Sequence, residues 1–107
     1  MQEIFQALAD PRRLKILQVL RDRELAAGEI AARFDVKRPT ISHHLSVLES
    51  AGLVSVRREG TRRIYAIRPE RFERVRNYLE AFWKDRLDRL KDAAEEHHGG
   101  TGRGERN

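Results

Sequence analysis

The residues able to do chemistry in this 107-residue chain fall in two groups. The first is Pro39-Thr40-Ile41-Ser42-His43-His44-Leu45-Ser46-Val47-Leu48, where hydroxyl and imidazole groups alternate with aliphatic side chains. Wound at about 3.6 residues per turn, Ile41, Leu45 and Leu48 form one apolar stripe. Pro39, Ser42, His43 and Ser46 then face the opposite side, with Lys37 and Arg38 just ahead of them. A helix held by one apolar stripe, with short hydrogen-bonding groups outside and two cations at its entry, suits a nucleic-acid groove. The second group is Arg57, Arg58, Arg62 and Arg63, with one glutamate among them at Glu59. Cations clustered on a short protruding loop suit phosphate or minor-groove contact better than random surface charge does.

Other chemistries find less support. Ser42 and His43 are neighbours with no supporting acid placed by the pattern, and neither a glycine-rich phosphate loop nor a metalloprotease motif occurs, so no enzyme is expected. His43 and His44 are adjacent and diverge on a helix, which makes them poor joint ligands. Cysteine is absent, which removes disulfides, thiolate metal sites and cysteine nucleophiles. No cofactor is expected.

The 22 Lys and Arg against 17 Asp and Glu give a formal charge of +5, which favours an anionic partner, either nucleic acid or an acidic membrane surface. No stretch approaches the roughly 18 apolar residues of a membrane span, and no basic segment precedes an apolar run at the N-terminus. The reading is a soluble, cytoplasmic protein without membrane insertion. A chain of this length fits one domain with a modest core, so association with a second copy would help it.

The elements that must position these groups follow in order. Ile4, Phe5 and Leu8 mark a first helix over about Gln2 to Leu8, too short to stand alone. Asp10-Pro11 supplies an N-cap and first-turn proline for a second helix reaching about Arg21, its core face drawn from Leu14, Ile16, Leu17, Val19 and Leu20. Leu25-Ala26 is a candidate edge strand. A third helix is expected from about Ala27 to Phe34, with a turn at Asp35 to Arg38 and the Pro39 helix after it, which together make a helix-turn-helix. Ala51-Gly52 closes that helix. Leu53 to Val56 and Arg62 to Ile67 read as a β-hairpin turning at Glu59-Gly60.

Pro69-Glu70 opens a last helix that runs to about Glu96. Its apolar residues Phe72, Val75, Leu79, Trp83, Leu87, Leu90 and Ala94 follow at steps of three or four, with Tyr78 and Phe82 widening the stripe. Such a helix, roughly 40 Å long, exceeds what the domain needs to cover itself. Ile4, Phe5, Leu8, Leu79, Phe82, Trp83, Leu87 and Leu90 are therefore expected at a homodimer interface. Residues 1–96 make the DNA-binding and dimerisation domain, and the polar, glycine-rich residues 97–107 make a flexible tail.

The fold class is thus mostly helical with a small β-hairpin wing. Leu8 to Leu17, Ile30-Ala31, Pro39 to Leu48, Ala51-Gly52-Leu53-Val54 and Gly60 to Tyr65 together resemble the ArsR/SmtB winged helix-turn-helix repressors over about residues 2 to 96. Phe34 to Leu45 looks most like the metal-independent SdpR-like autorepressor branch. The resemblance implies a homodimer binding an imperfect inverted repeat in double-stranded DNA, a recognition helix in each major groove and a wing beside it. It places Arg38, Pro39, Ser42 and His43 toward bases and Thr40 near phosphates, with Lys37, Arg57, Arg62 and Arg63 positioning the backbone. Many such proteins sense metal through a recognition-helix cysteine pair or through an Asp-x-His followed by His in the last helix. This chain has neither; its last helix offers Asp85, Asp88, Asp92, Glu95, Glu96, His97 and His98, and Glu95 and His98 have a three-residue spacing that could hold a metal at a dimer seam, although His97-His98 lies where the helix should fray. Metal response in the same fold is one alternative function. A protein-interaction module built on the last helix is another. An unidentified effector or a sequestering protein would then supply the releasing signal.

Overall fold

The computed structural model describes residues 1–98, with side chains as far as Glu95. The elements are α1 (Gln2–Leu8), α2 (Pro11–Leu20), β1 (Leu25–Ala26), α3 (Ala27–Ala31), α4 (Arg38–Ser50), β2 (Val54–Glu59), β3 (Arg62–Ile67) and α5 (Pro69–His98). The chain forms two compact units, Met1–Phe72 and a second from Glu73 onward. The last helix continues past its expected end at Glu96, so residues 97 and 98 are helical backbone rather than tail. The rest of the expected tail and the side chains of Glu96, His97 and His98 lie outside the described residues.

Local chemistry explains the boundaries. The Asp10 carboxylate accepts the backbone N–H of Arg12 at 2.8 Å and of Arg13 at 3.3 Å, which satisfies two first-turn donors of α2, and Pro11 has no N–H to leave unpaired. At α3 the sequence offers no hydroxyl or acid at the cap position. Glu29 reaches back instead and accepts the Ala26 N–H at 2.8 Å. This helix ends at Ala31, short of the expected Phe34. Beyond it the N–H groups of Arg33 and Phe34 reach only three residues back, to Ile30 and Ala31, and the tighter turn breaks the four-residue ladder.

A complete Schellman closure ends α4. Gly52 takes φ +76°, its N–H reaches the Glu49 carbonyl at 2.9 Å, and the Leu53 N–H reaches the Leu48 carbonyl at 3.0 Å. Leu53 is spent on this closure, so β2 begins at Val54, one residue later than expected. It also runs further, to Glu59, which leaves Gly60 and Thr61 as the hairpin loop. Gly60 has φ +64° and Thr61 does not have a positive φ, the signature of a type II′ turn.

The sheet has order β1-β3-β2, antiparallel throughout, with Leu25 opposite Tyr65 and Val56 opposite Tyr65 on the other edge. The core of the first unit contains Ile4, Ala7, Ile16, Leu17, Leu20, Leu25, Ile30, Ile41, Leu45, Leu48, Leu53, Val54, Ile64 and Tyr65. Two residues depart from expectation here. Ile4 is 3% exposed and belongs to this core, so its side chain is not available to a second copy as the sequence reading had it. Leu14, read as core, is 42% exposed.

Candidate nucleic-acid interface

Along α4 the side chains divide as their spacing requires. Ile41, His44, Leu45 and Leu48 are buried, while Arg38, Pro39, Ser42, His43 and Ser46 are exposed and Thr40 is half-buried. Lys37, at the N-cap, is exposed. Pro39 stands in the first turn, where its missing N–H leaves no bond unmade. The Arg38 guanidinium lies over Gly28 of α3, 3.8 Å from where a Cβ at Gly28 would stand. The result is a polar ridge fixed by a buried stripe, with the N-terminal end of the helix among cations.

The hairpin sorts its arginines by face. Arg57 Nη1 donates to Glu24 Oε1 at 2.6 Å, and its Nη2 donates to Glu59 Oε2 at 3.1 Å. Arg62 Nη2 donates to Glu29 Oε1 at 3.2 Å, the oxygen that also caps α3. Arg57 and Arg62 thus already have carboxylate partners. Arg58 and Arg63 project from the opposite face and are paired across the strands. Both are exposed, and neither side chain has a hydrogen bond or ion pair to another described residue. Arg58 belongs to the hairpin cluster that the sequence marks for phosphate contact, although the family resemblance names only Arg57, Arg62 and Arg63 of that cluster. The alternation of side chains along the hairpin is the signal that divides this cluster into two faces.

Beneath the ridge, Arg13 joins three elements. Its Nε donates to the Ala7 carbonyl at 2.7 Å and its Nη2 to the Gln6 carbonyl at 3.2 Å, both at the C-terminal end of α1. Its Nη1 lies 3.1 Å from His44 Nδ1 on α4. Burial pushes the His44 imidazole below its ordinary range. The Asp10 charge opposes that shift, and the charges of Arg13, His43 and Arg12 reinforce it. His44 is buried on the inner side of α4. His43 and His44 have ring centroids 5.8 Å apart, but one faces out and the other in, as expected of neighbours on a helix. Among the described residues no group of three or more His, Asp or Glu is placed to hold a metal ion.

Of the interface candidates on α1, Phe5 and Leu8 are half-buried. Leu8 also lines a mainly apolar cleft of about 350 Å³ with Leu14, Leu17, Gln18, Arg21, Ile67 and Phe72. In the second unit Leu79, Phe82, Trp83, Leu87 and Leu90 are 40–57% exposed, with Phe82 and Trp83 edge to face at 5.6 Å. No described helix is long and apolar enough to cross a membrane.

Residues 10–56 match the family model described as "Bacterial regulatory protein, arsR family". The HTH-type transcriptional regulator Rv2034 of Mycobacterium tuberculosis is 44% identical over 79 residues, 74% of each chain. The transcriptional repressor SdpR of Bacillus subtilis is 43% identical over 60 residues, which cover 56% of this chain and 67% of that repressor. Among solved structures, the homodimeric winged helix-turn-helix DNA-binding domain Mb0332 of Mycobacterium bovis superposes with a TM-score of 0.63 at 36% identity, covering 91% of this chain and 83% of that one. The chain therefore belongs to the arsR family of bacterial regulatory proteins and is a winged helix-turn-helix transcriptional regulator, not an enzyme.

Proposed function

We propose that this chain works in the cytoplasm as a homodimeric repressor that binds an inverted-repeat operator in double-stranded DNA. The observation that carries the reading is the outer face of α4, where Arg38, Pro39, Ser42 and His43 are exposed along a helix whose other side is fixed in the core. Arg38 is the residue best suited to a guanine edge, since a guanidinium can donate two parallel hydrogen bonds there, while Ser42 and His43 read bases less stringently. Thr40 and Lys37 lie at the entry of the helix, near where phosphates would pass. On the wing, Arg58 and Arg63 are the cations free to meet a phosphate backbone, and Arg57 and Arg62 join them only by leaving their carboxylates. Repression follows from occupying promoter DNA.

The homodimer rests on the exposed stripe of α5, together with Phe5 and Leu8 of α1, and on the homodimeric state of the related Mb0332 domain. With the seam formed by the second unit, residues 1–96 act as one DNA-binding and dimerisation domain. An effector or a sequestering protein would act by changing that dimer or its hold on DNA.

Selecting bound sites from random and genomic duplex DNA tests the reading: an enriched inverted repeat is expected, and failure to enrich any sequence overturns it. On the selected site Arg38→Ala should weaken binding by roughly 1–3 kcal/mol, with a smaller loss on scrambled duplex. Equal losses on both would remove base reading from Arg38. The exposed α5 stripe also favours a second reading, in which α5 captures a different protein; a chain that stays monomeric and selects no DNA would support it.

A further inference from the structure

We infer that Arg13 is a positioning residue for DNA reading, one that locks the inner side of the recognition helix to the C-terminal end of α1 through a neutral His44. The inference rests on α4 being the recognition helix and names the joint that holds it.

The geometry fixes the proton positions. A guanidinium carries donors and no acceptor, so His44 Nδ1, 3.1 Å from Arg13 Nη1, must present its lone pair. The ring proton then sits on Nε2, which is buried and has no partner among the described residues. A second proton could only go to Nδ1. It would set an N–H against a guanidinium N–H at hydrogen-bond distance, and one of the two groups would have to leave.

Departure of either group does more than break one bond. Arg13 holds the carbonyls of Ala7 and Gln6 in the last turn of α1, where a cation is favourable; the Gln6 carbonyl also accepts the Ala9 N–H at 3.2 Å, so the guanidinium is its second donor. The same guanidinium therefore satisfies the end of α1 and orients the one polar side chain on the buried side of α4. Asp10, whose carboxylate caps α2, is the anion of this cluster, and Arg12, Arg13 and His43 are its other charged or titratable members. Arg13, His44 and the two carbonyls form a single three-element joint. Movement of α1, which carries Phe5 and Leu8, is thereby transmitted to the seat of the reading face, and protonation of His44 opens the same joint from within.

Wild-type protein tests the proton placement directly. Long-range ¹H–¹⁵N correlation of the imidazoles at neutral pH should show His44 with an unprotonated Nδ1 and a protonated Nε2; the opposite tautomer overturns the proposal. The functional arm uses a duplex selected by the wild-type protein and a scrambled duplex of the same length. Arg13→Lys keeps the charge but cannot span three acceptors, and it should lower the ratio of selected to scrambled affinity about tenfold, the scale of one charge-assisted hydrogen bond. His44→Gln offers Arg13 a non-titrating acceptor. It should keep the ratio within about threefold of wild type, since a neutral acceptor still serves the guanidinium. As pH falls from about 7 to about 4.5, through and below the ordinary histidine range, the ratio should drop in wild type and stay level in His44→Gln. A wild-type drop that persists in His44→Gln assigns it to another group and overturns the role of His44. An unchanged ratio in Arg13→Lys overturns the joint. If no duplex is selected, the DNA reading fails by itself; amide exchange then decides the joint, which requires faster exchange in both α1 and α4 of Arg13→Lys.

Discussion

Arg58 stands directly opposite Arg63 across the hairpin, two exposed cations with no described partner on the face that Arg57 and Arg62 do not share. Like charges at directly opposed strand positions destabilise a hairpin, which makes the pair a poor choice for structure alone. A phosphate between them would relieve the repulsion. Substituting Arg58 or Arg63 by Ala should therefore reduce the slope of log affinity against log salt by about 0.9 each, the value of one phosphate contact on duplex DNA. Arg57→Ala should change the slope less, because its guanidinium gives up Glu24 and Glu59 to reach DNA. Binding isotherms across a salt series would reject the assignment if Arg57→Ala had the larger effect.

What the sequence disclosed about this fold was what depends on near neighbours. Asp10-Pro11, Ala51-Gly52 and the spacing of Ile41, Leu45 and Leu48 act within one or two helical turns, and the structure builds the cap, the closure and the buried stripe from them. Glu24 lies 33 residues from Arg57, Glu29 lies 33 from Arg62, and Arg13 and His44 are 31 apart, separations at which no periodicity operates. Glu29 was invisible as a cap for the opposite reason. A sequence search looks for an acceptor at the cap itself, and here the acceptor comes from inside the helix. The apolar period also ran on to Phe34 where the backbone had already tightened, because spacing reports which side chains could share a face and not which carbonyls the N–H groups reach.

Gly52 and Gly60 both take positive φ, but their surroundings differ. A Cβ at Gly52 would stand 2.8 Å from Arg71 Nε and 2.9 Å from its Cζ, whereas one at Gly60 would meet nothing within 4 Å. Gly60→Ala carries the left-handed backbone penalty of about 1–2 kcal/mol. Gly52→Ala should destabilise by more, since it adds displacement of the Arg71 guanidinium to the same penalty and disturbs the closure of α4. Urea unfolding of the two variants measures the difference; equal midpoints would show that Arg71 moves aside freely.

Leu79 and Leu87 lie two helical turns apart on α5 and are 40% and 56% exposed. A seam between two copies would bury both, and a carboxylate placed there would enter it without a partner. Leu79→Asp and Leu87→Asp should each weaken self-association and, with it, affinity for a two-half-site operator, while leaving the circular dichroism of the folded chain in place. The expected loss is on the order of 2–4 kcal/mol of dimer free energy, the sum of lost apolar burial and an unpaired charge. Sedimentation equilibrium showing an undiminished dimer would place the seam elsewhere.

Stability should fall with acid in two separate steps. The His44 imidazole is held below its ordinary value of 6.5, by burial first and by the Arg13 charge against the opposing pull of Asp10. Between the lowered folded value and 6.5 the unfolded chain binds more protons, so stability there rises with pH. Its contribution is complete above 6.5, declines as pH falls, and levels off once the folded value is passed. Burial also pushes the Asp10 carboxyl up, but the bonds from the Arg12 and Arg13 N–H groups, with the charges of His44 and Arg13, outweigh it and leave the group below its ordinary 3.8. That contribution is present above 3.8 and is lost as pH falls through the lower folded value. Urea midpoints followed across the pH range should show the upper step vanish in His44→Gln. In Asp10→Asn the lower step should vanish, and the upper step should widen toward acid, because removing the anion lowers the His44 value further. An upper step left intact by His44→Gln would assign it to another histidine and detach stability from the Arg13 joint.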